Sequence, residues 1–151
     1  MNILITGSRG FVGGRLSTFL IKKGYKVSIL VRKNSNLTNL KPLLPKLKVY
    51  YGNLEDIESL NQPIKDNDVI FHVAADYRLW SRKPAEIYAA NVLGTENIAL
   101  KTLTHNKILI YTSSVATLKL KKDFISDENS VARFDDMVGD YKKSKFLAEK
   151  I

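Results

Sequence analysis

Short apolar stretches alternate with longer amphipathic stretches along this chain. The five apolar stretches are rich in Ile, Val, Leu, Tyr and Phe and comprise residues 2–6, 26–31, 47–51, 68–73 and 108–112. Their nearly continuous apolarity is typical of parallel strands that are buried on both faces of a sheet. The pattern therefore predicts an α/β fold with a doubly wound parallel sheet, and right-handed crossovers give the strand order 3-2-1-4-5.

Helical periodicity is found between these stretches. Residues 11–23 carry apolar side chains at helical spacing and end at Gly24, a residue suited to a helix C-terminus. Residues 84–106 predict a longer helix, with Pro84 near its first turn. The first and fourth strands are thus each followed by a helix.

The remaining connections are shorter or less regular. Residues 34–45, with two prolines, predict a loop with at most a short helix, and residues 55–60 predict a short helical crossover. Residues 141–151 have helical character, but no residue typical of a helix end follows them, so the sequence looks cut inside a helix. Without repeats or an interdomain linker, residues 1–151 are interpreted as one domain.

Composition narrows the class of protein. A chain with 44% hydrophobic and 26% charged residues is typical of globular proteins. No apolar run approaches the roughly 20 residues of a membrane-spanning helix, and the start lacks the basic region of a signal peptide, so we expect a cytoplasmic protein. With no cysteine and two histidines, we expect neither disulfides nor a metal site.

The formal net charge of +9 raises the question of a polyanionic partner. The lysines are spread along the whole chain, without a block of like charges and without the interleaved aromatic residues that stack on bases. We therefore expect no nucleic-acid partner.

A glycine motif directly follows the first predicted strand. It reads Gly7-Ser8-Arg9-Gly10-Phe11-Val12-Gly13 and opens into the first helix. Glycines at this spacing permit a tight turn and a close approach to a pyrophosphate, and the N–H groups and dipole of the helix attract phosphates. An ordinary strand-to-helix turn is the alternative, but the order of strand, glycines, helix and second strand favours dinucleotide binding.

The end of the second strand indicates which dinucleotide is preferred. A free 2′-hydroxyl usually meets an acidic residue there, whereas a 2′-phosphate needs a cation. This chain has Arg32, with Lys33 and Ser35 close behind and no carboxylate. Because the planar guanidinium of Arg32 suits a phosphate, the sequence favours NADP(H) over NAD(H). A solvated basic loop is the alternative interpretation.

Two later segments carry hydroxyl and amine groups. The fifth strand leads into Ser113 and Ser114 at the carboxyl edge of the sheet, where doubly wound folds bind ligands. Tyr141 and Lys145 are four residues apart and share one helix face, so the ammonium can favour the ionised phenol. Such a phenol can exchange a proton near neutral pH, although an ordinary surface pair has the same spacing.

Five motifs in a fixed order carry a family resemblance. They are Thr6-Gly7-x-x-Gly10-Phe11-Val12-Gly13, His72-Val73-Ala74-Ala75, Asn91-Val92-x-Gly94-Thr95, Tyr111-Thr112-Ser113-Ser114 and Tyr141-x-x-x-Lys145. Together they resemble the extended short-chain dehydrogenase/reductases, the NAD-dependent epimerase/dehydratase superfamily, which implies a Rossmann-like fold. Residues 71–80 and 112–118 are similar to dihydroflavonol-reductase-like proteins, especially the hopanoid-associated sugar epimerase branch.

The resemblance implies a role for individual residues. Tyr141 would be the catalytic acid/base, and Lys145 would hold the nicotinamide ribose and lower the pKa of the phenol. Ser114, or Ser113 one position earlier, would orient the substrate oxygen. Asn91 would support the active-site architecture, unless it is a helix residue that bonds locally. The implied cofactor contacts are Gly7, Gly10, Phe11, Val12, Gly13, Arg32, Asn53, Leu54, Ala74, Tyr141 and Lys145.

The chain departs from the family pattern in two ways. Gly52-Asn53-Leu54 stands where the family has Gly-Asp-Leu, so Asn53 can still hydrogen-bond adenine but without the charge. Family members also continue well beyond residue 151. The resemblance thus implies an amino-terminal portion, truncated before the last strands and the substrate region, whose fifth strand exposes an apolar edge.

Three hypotheses for function remain open at this stage. The chain is the cofactor-binding part of an NADP-dependent reductase or epimerase that acts on a small carbonyl compound or a nucleotide-sugar-like substrate. Alternatively, it is a nucleotide-binding module without chemistry, or a remnant of a disrupted gene. The first hypothesis requires a complementing carboxyl-terminal polypeptide or a longer product, and a homodimer is also compatible with it.

Overall fold

The structure is a computed structural model that describes residues 1–120 and 125–151. It contains one five-stranded parallel sheet in the order β3-β2-β1-β4-β5. The strands are β1 (Asn2–Thr6), β2 (Lys26–Val31), β3 (Leu47–Tyr51), β4 (Val69–His72) and β5 (Ile108–Tyr111). The predicted fold class and strand order are confirmed. Strand β4 begins one residue later than predicted, and both β4 and β5 end one residue earlier. Strand β1 stops at Thr6, opposite His72, and offers β4 no further partner, and β5 in turn pairs with β4 only as far as His72.

The chain divides into two compact units. The first unit comprises Met1–Ala75 and Asn97–Thr112, and the second comprises Asp76–Glu96 and Ser113–Ile151. All five strands belong to the first unit. The helices are α1 (Phe11–Lys22), α2 (Asn61–Lys65), α3 (Pro84–Tyr88), α4 (Gly94–Thr104) and α5 (Asp140–Ala148).

The sheet of the first unit is packed on both faces, as the continuous apolar strands predict. Alternate residues of β1 point to opposite sides, so Leu4 joins one buried cluster while Ile3 and Ile5 join another. All three side chains are at most 1% exposed. This burial holds the carboxyl end of β1 rigidly in the middle of the sheet.

Helix α1 ends as the sequence predicts. Gly24 has a φ of +84°, and its N–H donates to the Ile21 carbonyl at 3.0 Å. The Tyr25 N–H donates to the Leu20 carbonyl at 3.1 Å, which completes a Schellman motif. The glycine therefore ends α1 and turns the chain into β2.

The predicted helix over residues 84–106 is interrupted. A π-helical segment, Ala89–Leu93, separates α3 from α4, and the helix ends at Thr104. A π turn inserts one residue and so rotates the following side chains relative to an α-helix. Asn91, inside this segment, is only 2% exposed.

Other predicted elements differ in their ends. The predicted loop over residues 34–45 contains two short 3₁₀ helices, Thr38–Leu40 and Leu44–Lys46. The second helix ends one residue after the predicted end of the loop. The crossover over residues 55–60 is a 3₁₀ helix, Ile57–Leu60, followed directly by α2. Both segments thus contain more helical turns than the sequence predicts.

Helix α5 starts at Asp140 and ends at Ala148, so the prediction that helix continues to residue 151 is wrong. At this end the Glu149 N–H donates to the Lys145 carbonyl at 3.2 Å, and the Lys150 N–H donates to the Leu147 carbonyl at 3.0 Å, which closes the last turn.

The edge strand β5 is partly uncovered. Ile108 is 61% exposed and Ile110 is 42% exposed, which confirms the expected apolar edge.

Within the described ranges, 1–120 and 125–151, no helix is long and apolar enough to cross a membrane.

Candidate functional site

The glycine turn, residues 7–13, is closely packed at the carboxyl end of β1. Gly7 has a φ of +71°, and a Cβ there would lie 2.6 Å from the Ala74 backbone nitrogen. A Cβ at Gly13 would lie 2.4 Å from the Gly7 carbonyl oxygen. The Gly10 N–H donates to that same carbonyl at 2.9 Å. Since side chains do not fit at Gly7 or Gly13, the turn requires glycine there.

The end of β4 is fixed beside this turn. The Thr6 Oγ1 lies 2.8 Å from the His72 Nδ1 and accepts a hydrogen bond from the Ala74 N–H at 3.2 Å. The His72 ring is fully buried, and its centroid lies 5.8 Å from that of Tyr111. The structure therefore brings together Ala74 and Gly7, two of the cofactor contacts that the sequence predicts.

The N-terminus of α1 is open to a ligand. Its N-cap is Gly10, no described side chain caps it, and its first turn contains no acidic residue. Phe11 is 82% exposed and Val12 is 55% exposed. The Ser8 Oγ is buried and has no hydrogen-bond partner in the described part of the chain. The uncapped N–H groups and the helix dipole suit a phosphate, so these residues fit a dinucleotide.

Arg9 is a candidate residue that the sequence analysis missed. Its Nη1 donates to the Ser35 Oγ at 3.1 Å, and the Ser35 N–H donates to the Arg32 carbonyl at 2.9 Å. Arg9, in the glycine turn, and Arg32, after β2, are thus linked through Ser35. The position of Arg9 directly before Gly10 was the only sequence signal for this link, and the pairing with Ser35 depends on the fold.

Asn53 and Leu54 follow β3 in the first unit. Asn53 is exposed, and its Oδ1 accepts a hydrogen bond from the Glu55 N–H at 3.4 Å. Leu54 packs against a buried apolar cluster, and its carbonyl accepts from the Asn97 Nδ2 at 2.8 Å. Asn53 is therefore accessible to a ligand, whereas the side chain of Leu54 contributes to the core.

Tyr141, Ser144 and Lys145 lie on α5 in the second unit. Ser144 is fully buried, and its Oγ donates to the Tyr141 carbonyl at 2.8 Å. The same Oγ accepts from the Asn91 Nδ2 at 2.9 Å. Asn91 therefore contacts the helix that carries the predicted acid/base, and it bonds across the unit rather than only locally.

Lys145 is buried along its whole side chain, with 2% exposed. Burial lowers its pKa from the ordinary value of 10.5 to about 8, and the carboxylate of Glu149 acts in the opposite direction. The ammonium form is thus only moderately favoured near neutral pH.

The two serines after β5 have different partners within the second unit. The Ser113 Oγ donates to the Glu149 carboxylate, and the Thr117 Oγ1 donates to the same carboxylate oxygen at 3.1 Å. The Ser114 Oγ instead accepts from the Ala116 N–H at 3.1 Å, a bond that does not use its hydroxyl proton. Of the two alternatives, Ser114 is thus better suited to donate a hydrogen bond to a substrate oxygen.

Glu149 is a second residue that the sequence analysis missed. It joins the segment that contains Ser114 to the C-terminal end of α5. Glu149 is four residues after Lys145, and this spacing in the sequence indicates that the two side chains lie on the same side of the helix.

Among the described residues, no group of three or more His, Cys, Asp or Glu side chains has an arrangement that would hold a metal ion.

The family of this chain follows from its sequence similarity to known proteins. A sequence model of the NAD dependent epimerase/dehydratase family matches residues 3–151. The chain belongs to this family. The five ordered motifs of the sequence analysis and the Rossmann-like sheet are consistent with that membership.

Individual relatives of this epimerase/dehydratase chain are considerably longer. A relative from Synechocystis sp. that is named as a dihydroflavonol 4-reductase is 38% identical over 148 residues, which cover 97% of this chain and 42% of that protein. The crystal structure of gox2253 has a TM-score of 0.90 and 38% identity and is matched over 98% of this chain and 45% of its own. The chain thus spans less than half the length of these relatives.

Another epimerase/dehydratase structure shows a bound cofactor. The dTDP-glucose 4,6-dehydratase from Bacillus anthracis, solved in complex with NAD, is 26% identical with a TM-score of 0.82 and is matched over 99% of this chain and 48% of its own. Nicotinamide dinucleotides are therefore bound by a protein with this fold.

Proposed function

We propose that this chain is the cofactor-binding part of an NADP(H)-dependent oxidoreductase or sugar epimerase that acts in the cytoplasm on a small carbonyl or carbinol compound. The observation that carries the proposal is the hydrogen bond from the Arg9 Nη1 to the Ser35 Oγ, because it holds the Arg9 guanidinium beside the loop after β2 that contains Arg32. A 2′-phosphate is the part of NADP that needs such cations. Family membership supports nicotinamide chemistry in general.

The cofactor would be held by residues of the first unit. The glycine turn and the N-terminus of α1 bind the pyrophosphate, Arg9 and Arg32 bind the 2′-phosphate, and Asn53 hydrogen-bonds adenine. Ala74 lies against the turn at the end of β4. When bound, the nicotinamide supplies or accepts a hydride at the substrate carbon.

The chemistry of the second unit is acid/base catalysis. Tyr141 gives a proton to the carbonyl oxygen as the alcohol forms, or takes the hydroxyl proton in the reverse direction. Lys145 holds the nicotinamide ribose. Ser114 donates a hydrogen bond to the substrate oxygen and orients it. Either reduction or epimerisation through a transient ketone uses these same groups.

The rest of the enzyme would come from a longer product or from a complementing carboxyl-terminal polypeptide, since the relatives are more than twice as long. The chemistry is tested by joining residues 1–151 to the part of the Synechocystis relative beyond the matched region and measuring consumption of NADPH with ketone substrates.

In this fusion protein, Tyr141→Phe should lower kcat by roughly 10²- to 10⁴-fold, the usual contribution of a positioned acid/base, and leave NADPH binding unchanged. Tyr51→Phe, on an exposed tyrosine of β3, is the matched control and should retain full activity. A Tyr141→Phe variant as active as the Tyr51→Phe variant refutes the assigned chemistry.

A further inference from the structure

A cavity of about 510 Å³ lies in the first unit near the amino ends of β1, β2 and β3. It is at the opposite end of the strands from the glycine turn, which follows the carboxyl end of β1. Its volume is within the range of roughly 300–1,000 Å³ that is usual for small-molecule sites. We call it the amino-edge cavity, and the polar side chains that line it include Lys26, Ser28, Lys46, Lys48, Asp66 and Asn67.

Two of these polar side chains are buried. Ser28 is two residues before Leu30 in β2, so both side chains lie on the same face of the sheet. Leu30 packs in an apolar cluster, whereas Ser28, which is 6% exposed, places a hydroxyl group at the cavity. Asn67, shortly after α2, is 1% exposed. The inner side of the cavity is therefore polar where the rest of this sheet face is apolar.

The amide of Asn67 uses only part of its hydrogen-bonding capacity. Its Nδ2 donates to the Pro63 carbonyl at 2.7 Å, which fixes the orientation of the side chain. Its Oδ1 is buried without a hydrogen-bond partner in the part of the chain that the structure describes. Since buried polar atoms of native proteins are nearly always satisfied by protein, water or a ligand, this acceptor calls for a hydroxyl or N–H donor.

The carboxylate of Asp66 is already satisfied by neighbouring side chains. The Lys48 Nζ donates to its Oδ2 at 2.9 Å, and the Tyr50 hydroxyl donates to the same oxygen at 2.5 Å. The Gln62 Nε2 donates to the Oδ1 at 2.6 Å. Lys48 therefore balances the charge of Asp66, and the other two lysines of the cavity determine its net charge.

These two lysines, Lys26 and Lys46, are neighbours across the sheet. Val27 pairs with Leu47, and each lysine directly precedes one member of this pair. Both lysines are exposed and line the cavity, and neither has an ion pair within residues 1–120 and 125–151. Because adjacent strands lie only about 4.7–4.9 Å apart, one anionic group can contact both ammonium groups.

We infer that the amino-edge cavity binds a small phosphate monoester with free hydroxyl groups, with the phosphate on Lys26 and Lys46 and a hydroxyl group donating to the Asn67 Oδ1. The inference goes beyond the proposed function, because this site is at the other end of the sheet from the glycine turn. A phosphate offers several strong acceptor oxygens to the ammonium groups, and the hydroxyl groups supply the donors that a bare phosphate ester lacks.

Binding is measured by isothermal titration calorimetry of the full chain with glucose 6-phosphate, with glucose and with methyl phosphate. We expect saturable binding of glucose 6-phosphate, and binding at least about 10-fold weaker for glucose, which has no phosphate, and for methyl phosphate, which has no hydroxyl group. The affinity for glucose 6-phosphate should not change when NADPH is in excess. Binding of NADPH is followed by its own fluorescence, so a failure of the proposed cofactor site is recognised independently.

Matched lysine variants locate the phosphate. Lys46→Ser should weaken the binding of glucose 6-phosphate by at least about 10-fold, since a charge-assisted hydrogen bond is lost. Lys41→Ser is the control and should leave it unchanged, because Lys41 is also exposed between β2 and β3 but does not line the cavity. Lys26→Ser should act like Lys46→Ser. Exposed positions tolerate such changes, so the three variants should fold and bind NADPH as the unaltered chain does.

Four results would overturn the inference. They are no saturable binding of glucose 6-phosphate, equally tight binding of methyl phosphate, equal losses of affinity in Lys46→Ser and Lys41→Ser, and displacement of glucose 6-phosphate by NADPH. The last result would place the phosphate at the glycine turn instead of the amino-edge cavity.

Discussion

The Asn91 Nδ2 lies 2.9 Å from the Ser144 Oγ, and this hydrogen bond joins the π-helical segment to α5. The same amide holds the backbone of Asp76 through two further bonds. Asn91 is therefore a positioning residue that fixes both the loop after β4 and the helix that contains Tyr141. The π turn explains how a residue of a long helix can point inward and contact both segments.

Replacing Asn91 with leucine should destabilise the fold strongly. Asn91→Leu leaves the N–H and C=O groups of Asp76 without their partner, and each unsatisfied buried polar group costs about 1–3 kcal/mol. We expect a loss of about 3 kcal/mol in the free energy of unfolding, measured with urea.

Asn97→Leu is the matched control, since Asn97 is a buried helical asparagine whose amide donates to the single carbonyl of Leu54. Its loss should be clearly smaller. Equal losses in the free energy of unfolding for the two variants would show that the three hydrogen bonds of Asn91 do not stabilise the fold more than the single hydrogen bond of Asn97.

The buried Lys145 should make stability depend on pH. Because its folded-state pKa is lowered from 10.5 to about 8, the unfolded chain binds more protons between these values. The free energy of unfolding should therefore rise as pH increases from about 8 towards 10.5, where the unfolded chain also loses the proton. Lys145→Met should remove this contribution, so in urea titrations at a series of pH values the unaltered chain should gain stability relative to the variant between about 8 and 10.5.

Glu149→Gln provides the complementary test. The carboxylate raises the pKa of Lys145, so its removal should lower that pKa below about 8. The measurement is the NMR chemical shift of the Lys145 Cε, followed as a function of pH. A midpoint near 10.5 in the unaltered chain, or an upward shift in Glu149→Gln, is incompatible with this account.

Adjacent glycines of α1 should respond differently to substitution. An alanine Cβ at Gly13 meets the Gly7 carbonyl oxygen at 2.4 Å, whereas at Gly14 the nearest atom is the Ser8 carbonyl oxygen at 3.2 Å. Gly13→Ala should cost about 1–3 kcal/mol of stability, as overpacking usually does, and should abolish binding of NADPH. Gly14→Ala should retain both. The comparison is made by thermal unfolding and by NADPH fluorescence, and loss of binding in both variants would count against the close packing at Gly13.

Much of the fold was predictable because the residues that determine each strand or helix end are close together in the sequence. The bounds of β1, β2 and β3 follow from continuous apolar runs, and the end of α1 follows from Gly24, whose φ of +84° favours glycine. The end of β4 was less predictable, because it depends on where its partner strand β1 stops.

The candidate site was predictable as residue types but not as contacts. The sequence indicated the glycine turn, Ser114, Tyr141 and Lys145. It did not indicate the link from Arg9 to Ser35, because that pairing brings together residues from separate loops. Nor did the residue pattern of the long helix indicate the π segment around Asn91, because side-chain contacts with Asp76 and Ser144 accompany it.

Thermal unfolding of the 151-residue chain with NADP and with NAD tests the central claim most directly, since a ligand that binds the folded state raises the midpoint. We predict a cooperative transition that NADP raises more than NAD. The double variant Arg9→Ser/Arg32→Ser should lose this preference, because hydrogen bonds to charged groups contribute about 1.5–3 kcal/mol each, or at least roughly 10-fold in NADP affinity. A midpoint that neither cofactor moves, or that NAD raises as much as NADP in the unaltered chain, would contradict the account.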